Sequence, residues 1–149
     1  MQTQKHLFVY GTLAFNKVLH ALLGYVPEKE YVEVSGYIAR NIDLEGWEPF
    51  PVLLEKSGAV VKGYVLKNLT ESDFKRLDRY EFTDLDYYVR KSLIEAGANV
   101  EFYEPAETLL RLGVLGGEWD TDKLDPLLET IYAESIVPKF KLEHPDVFE

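Results

Sequence analysis

The chain contains no cysteine. Disulfides, thiolate nucleophiles and Cys-ligated zinc or iron are therefore excluded together, and a reducing compartment fits by default. Positive charge is also scarce, with 16 Lys and Arg against 26 Asp and Glu and a formal net charge of -10. Nucleic-acid and anionic-membrane binding rest on clustered basic residues. The longest basic stretch here is Lys139-Phe140-Lys141, so neither a nucleic acid nor a membrane is expected as a partner. No apolar run approaches the ~20 residues of a membrane span. The polar start from Met1 to His6 has no signal-peptide core, which makes the cytoplasm the expected location. The histidines, His6, His20 and His144, have no ligand spacing to one another or to carboxylates, and no metal site is expected. Gly113, Gly116 and Gly117 are followed by Glu118 rather than by Lys-Ser/Thr. They form no P-loop, the dinucleotide fingerprint is missing too, and a turn is the reading for this glycine-rich link. Ser35 and Ser57 lie outside any G-x-S-x-G context.

What is present suits one soluble domain. At 149 residues, 46% of them hydrophobic, the chain is long enough to bury a core without staples. Residues 1–149 read as a single domain, with 120–149 a C-terminal helix and tail extension. Leu7 to Tyr10 is a short continuous apolar run, the pattern of a strand buried on both faces, and Gly11 ends it. Phe15, Val18, Leu19, Leu22 and Leu23 then fall at helix spacing, with Gly24 placed to cap. Strands are expected at about Tyr31 to Ala39 and Ala59 to Lys67, separated by an irregular loop over 40–52 that carries Trp47 and Phe50. Thr70 with Asp73 resembles a capping box and starts a helix over Glu71 to about Arg79. Two further strands, Tyr87 to Glu95 and Ala98 to Tyr103, join through a short connection. Asp125-Pro126 opens a last helix to about Ser135, and the residues beyond it read as an aperiodic tail or packing arm. The order of elements gives an α+β fold, a small mixed sheet curled toward a barrel with a few flanking helices.

Two stretches point to chemistry. Glu81 lies seven residues after Phe74 and four after Leu77, so a helix reaching that far aims its carboxylate along the apolar stripe. Desolvation there raises a carboxyl toward neutrality, which suits a general acid/base. Asp78 lies near the same stripe and competes for the role; Glu81 reads equally as an exposed helix end. In Tyr10-Gly11-Thr12-Leu13 the N–H groups of residues 11 to 13 leave the strand without sheet partners, an arrangement that either is a plain turn or forms an anion-binding concavity. Gly11 would let a ligand approach the backbone closely. Tyr87 and Tyr88 alternate along a strand, so at most one of them is expected in a pocket. Arg90 shares a face with Tyr88, within reach of a carboxylate. Trp47 and Phe50 are placed either to cover a leaving group or to pack in the core.

In sequence order, "FVYGTL" at 8–13, "FPVLLEKSGAVVKGYVLK" at 50–67, "LDRYEF" at 77–82 and "YYVRKSL" at 87–93 resemble the γ-glutamylcyclotransferase-like family over roughly residues 6–104. The resemblance implies a small mixed α+β barrel with its pocket at the Tyr10–Leu13 loop. It implies that Tyr10, Gly11, Thr12 and Leu13 hold a γ-glutamyl group, that Glu81 is the catalytic acid/base, and that no metal or cofactor is needed. The implied partner is a small γ-glutamyl amine or peptide, converted to 5-oxoproline and a free amine. Tyr88 is a further candidate substrate contact. Many family members carry glycine after the acidic residue, where this chain has Phe82. A non-catalytic domain of the same fold, binding a small metabolite or a protein, is the alternative reading.

Overall fold

The computed structural model describes residues 5–46, 50–119 and 126–148. Its sheet has six strands in the order β4-β5-β1-β3-β2-β6. These are β1 (Lys5–Val9), β2 (Lys29–Asp43), β3 (Phe50–Leu69), β4 (Tyr88–Ser92), β5 (Val100–Pro105) and β6 (Val114–Glu118). β1 is antiparallel to β3 and parallel to β5. Its apolar run divides between two cores: Leu7 and Val9 join one buried cluster with the helices, Phe8 and Tyr10 join another with Val34, Leu53, Val65 and Phe102. Alternation along a strand buried on both faces produces that division. The edges β4 and β6 do not pair with each other, so the sheet is a curled, open one and not a closed barrel.

The long β2–β3 hairpin reaches much further than the sequence suggests. Ile42 pairs with Phe50 and Arg40 with Val52, so most of the expected irregular loop 40–52 is strand; Trp47 lies outside the described residues. Pro51 is tolerated because it sits in a part of β3 that β1, which pairs only with residues 64–69, does not reach. The glycine-rich link is likewise a strand rather than a turn. β6 pairs along β2, and the Arg40 guanidinium donates to the Gly116 carbonyl through Nε (3.0 Å) and Nη2 (2.9 Å). Ladder pairing outweighs glycine's weak strand preference here.

Helix α1 (Asn16–Leu23) buries Val18, Leu19, Leu22 and Leu23, and Gly24 closes it with φ 84. Helix α2 (Glu71–Tyr80) opens on a complete capping box, with the Asp73 N–H donating to Thr70 Oγ1 at 3.1 Å and the Thr70 N–H to Asp73 Oδ2 at 3.0 Å. After α3 (Glu107–Leu112), the C-terminal region is helical almost throughout: α4 (Pro126–Ile131), a π-helical turn (Tyr132–Ile136), α5 (Val137–Glu143) and α6 (Pro145–Phe148). The proposed Asp125 cap lies outside the described residues. The expected aperiodic tail is corrected: Pro138 continues the helix directly after the π-helical turn, where the i→i−4 ladder is already interrupted and its missing N–H is accommodated, and Val137 and Phe140 are buried. The Arg79 guanidinium holds α6 by donating to both Asp146 carboxylate oxygens at 3.1 and 2.9 Å.

Candidate active site

The site forms where the central strand runs out. Beyond Val9 the chain turns through Tyr10 and Gly11 into a single 3-10 turn, Thr12–Ala14. The Ala14 N–H donates to the Gly11 carbonyl (2.9 Å) and the Phe15 N–H to the Thr12 carbonyl (3.1 Å). The N–H groups of Gly11, Thr12 and Leu13 precede the first bond of the turn and are left over by its geometry. The Tyr10 carbonyl is pinned from the other side by the Trp119 indole N–H at 2.9 Å. Glycine at position 11 has a packing cause. A Cβ there would come within 2.5 Å of Pro51 Cγ, so β3 itself occupies the space that a bare glycine was expected to leave for a ligand.

Glu81 reaches the same place from α2. Its N–H donates to the Leu77 carbonyl at 2.9 Å, which continues the helical ladder one residue past Tyr80 and keeps its side chain on the stripe of Phe74 and Leu77. The next residue, Phe82, turns the chain with φ 54 and ψ 43, a left-handed conformation that costs a bulky residue about 1–2 kcal/mol. Glu81 is half-buried, and its carboxyl is pushed up to about 8, by burial first and by the nearby Asp78 second. Asp78, its competitor on the stripe, is engaged elsewhere through Oδ1. It accepts from the Tyr103 hydroxyl at 2.7 Å and from Arg90 at 3.2 Å. Arg90 in turn pairs with Glu101 at 3.3 Å and lies 4.2 Å above the Phe74 ring, so it braces α2 against β4 and β5 and does not line the cavity.

The turn and the carboxyl wall one cavity of about 620 Å³, lined by Tyr10, Gly11, Thr12, Leu13, Glu81 and Tyr88 among others. Tyr88 contributes its ring, while its hydroxyl donates to the Pro51 carbonyl at 2.9 Å. Tyr87 lines the cavity as well, against the expectation that only one of the pair would. It precedes the first residue of β4, so strand alternation does not govern it. Phe50 also lines the cavity and packs 6.4 Å from the Tyr88 ring. The sequence reading missed Tyr80, Tyr103 and the C-terminal wall of Tyr132, Ile136 and Phe140. The last three recur every four residues, a helical row that Pro138 interrupts in the sequence. Burial and the Glu81 carboxylate raise the Tyr10 phenol; burial raises the Tyr80 and Tyr88 phenols, with Glu81 adding to each. All three stay neutral hydrogen-bonding groups. Among the described residues, no cluster of three or more His, Asp or Glu is spaced to hold a metal ion, and no helix is long and apolar enough to cross a membrane.

A family model described as "Gamma-glutamyl cyclotransferase, AIG2-like" matches residues 7–121. The chain belongs to this family. The curated "AIG2-like protein C" of Arabidopsis thaliana is 37% identical over 81 residues, 54% of this chain and 44% of that relative. The match therefore spans less than half the relative's length. A solution structure of another Arabidopsis thaliana protein superposes with a TM-score of 0.60 at 19% identity, covering 99% of this chain and 95% of its own. A solved "Gamma-glutamyl cyclotransferase" superposes with a TM-score of 0.59 at 13% identity, covering 95% of this chain and 80% of its own. These likenesses show the shared α+β fold. In this member of the γ-glutamyl cyclotransferase, AIG2-like family, the helical wall at 132–140 lies beyond the matched segment and still closes the cavity.

Proposed function

We propose that the chain is a γ-glutamyl cyclotransferase that converts a small γ-glutamyl amine or peptide to 5-oxoproline and the free amine. The observation that carries this reading is a carboxyl pushed up to about 8 in the same cavity as a turn with left-over backbone N–H groups. The substrate's α-amino nitrogen attacks its own γ-carbonyl carbon. The new C–N bond closes a five-membered ring as the bond to the leaving nitrogen breaks, and one proton passes from the attacking to the departing nitrogen. Atoms balance without water or any co-reactant.

Glu81 carries that proton, as base in the first half and acid in the second. The amine, which ordinarily titrates at ~8, attacks in its neutral form, having shed its third proton to solvent before the one that Glu81 carries. The N–H groups of Gly11, Thr12 and Leu13 hold the α-carboxylate or the oxygen that gains charge during attack. Folding the γ-glutamyl chain so that amine and carbonyl touch supplies the proximity term, ~7 kcal/mol or more in well-oriented intramolecular reactions.

The assay is incubation with a mixed set of γ-glutamyl amines and peptides, with 5-oxoproline as the readout and a folded Glu81→Gln variant alongside. Turnover by the wild type and its loss in the variant are expected. No turnover across the set, or an equally active variant, overturns the mechanism. Phe82 in the place where many relatives carry glycine favours a second reading, binding of a small metabolite without turnover, and the same assay separates the two.

A further inference from the structure

We infer that the wall made by Phe82, Tyr87, Tyr132, Ile136 and Phe140 is a leaving-group subsite for an apolar amine of aromatic size; this rests on the cyclotransferase reading above and names its substrate class. Cavities for drug-sized ligands span ~300–1,000 Å³, and at about 620 Å³ this one holds far more than a γ-glutamyl group. The glutamyl end is accounted for by the 11–13 turn and Glu81. What remains is this wall, from the 82–87 segment and the C-terminal helices.

Its chemistry is apolar and aromatic. Phe82 stacks edge-to-face with Phe140 at 6.0 Å and with Tyr87 at 5.9 Å, and Tyr80 meets Phe140 at 5.6 Å, so the rings form one connected surface. Core packing accounts for only part of it: Phe140 is buried, and Phe82, Tyr87 and Tyr132 pack against the core on one side, yet these three and Ile136 stay half-buried, unlike the near-zero exposure of Leu7, Leu19 or Leu77. Phe82 is held left-handed, where glycine would sit without strain. A strained bulky residue on a cavity wall is the kind of feature that function retains. Lys139 and Glu143 line the cavity at this end but are exposed, one helical row beyond Ile136 and Phe140. An uncharged ring therefore lies against the wall without burying a charge.

The test compares γ-glutamyl-phenethylamide with γ-glutamyl-ethylamide by kcat/KM for 5-oxoproline formation. The wild type should favour the phenethyl compound by about tenfold or more, since a single methylene in a fitted apolar pocket already discriminates by ~10-fold. Ile136→Trp, which fills the subsite, should erase the preference, and Phe82→Gly, which relieves its own backbone, should reduce it several-fold. Equal rates, a preference for ethylamide, or an unchanged ratio in both variants overturns the subsite. If neither amide yields 5-oxoproline, the cyclotransferase reading fails, and calorimetric affinities for the same two compounds decide the subsite. Tenfold tighter binding of the phenethyl compound upholds it, and equal or absent binding overturns it.

Discussion

The hydroxyls of Thr12 and Tyr80 lie 3.2 Å apart, joining the turn after β1 to the residue immediately before Glu81. This is a direct polar link between the two halves of the site, across 68 positions of sequence. Replacing Tyr80 by Phe should cost about 1 kcal/mol in denaturant unfolding, the usual net worth of one hydrogen bond. Thr12→Ala should cost a similar amount, and the double variant less than the sum of the two, because both remove the same interaction. In the 5-oxoproline assay kcat should fall more than KM rises, since the turn loses its register with Glu81 while the cavity stays open. Fully additive stability losses would mean the two hydroxyls do not interact.

Glu81→Gln should abolish ring closure and raise thermal stability, and the gain should grow with pH. Between the ordinary carboxyl value of 4.5 and about 8, the folded protein keeps a proton on Glu81 that the unfolded chain has released. The stability this group contributes is therefore complete below about 4.5 and lost as pH rises through about 8. Glutamine does not titrate and avoids the loss. Because the side chain is half-buried and partly screened, the advantage at pH 9 over pH 5 should be about 1–2 kcal/mol. Melting curves of both proteins at the two pH values measure it, and a gain that does not change with pH would mean Glu81 titrates normally.

Gly11→Ala should destabilise the fold and disable the site together. The added methyl meets the Pro51 ring, and Pro51 is itself fixed through its carbonyl by the Tyr88 hydroxyl. Either β3 or the turn must shift, at a cost of about 1–3 kcal/mol for overpacking. Differential scanning calorimetry gives the loss. A variant as stable and active as wild type would show that the turn has slack.

The parts of this fold that the sequence made legible are those where a local rule acts alone. Thr70 and Asp73 announce their own cap, Gly24 its helix end, and Phe74 and Leu77 the stripe that carries Glu81 inward. The errors fall where long-range pairing overrides local preference. Gly116 and Gly117 look like a turn, and only the presence of β2 beside them, with Arg40 bonded to the Gly116 carbonyl, makes them strand. Pro51 looks like loop until β2 is seen beside it, with β1 stopping short on the other side. Gly11 lines the cavity, but the need for glycine there comes also from Pro51, forty positions away with no sequence signal connecting them. The C-terminal wall was hidden by Pro138, which reads as a breaker but stands in the first turn of α5.

Asp78→Asn should move the pH dependence of catalysis. Asp78 lies one helical turn before Glu81 and is the second cause, after burial, of its raised carboxyl. Removing the negative charge makes ionisation of Glu81 easier. The acidic limb of kcat/KM, set by the free enzyme's carboxyl, should shift from about 8 to lower pH, so that activity at pH 7 rises relative to activity at pH 9. It should remain well above 4.5, because burial is the larger cause and is untouched. The substitution also weakens the acceptor shared by Tyr103 and Arg90, but Arg90 keeps Glu101, and a loss of about 1 kcal/mol is the expected structural side effect. That side effect lowers stability at every pH and cannot by itself displace a limb. A pH–rate profile of the variant on one γ-glutamyl amide therefore separates the two, and a limb that stays at about 8 would leave burial as the sole source of the shift.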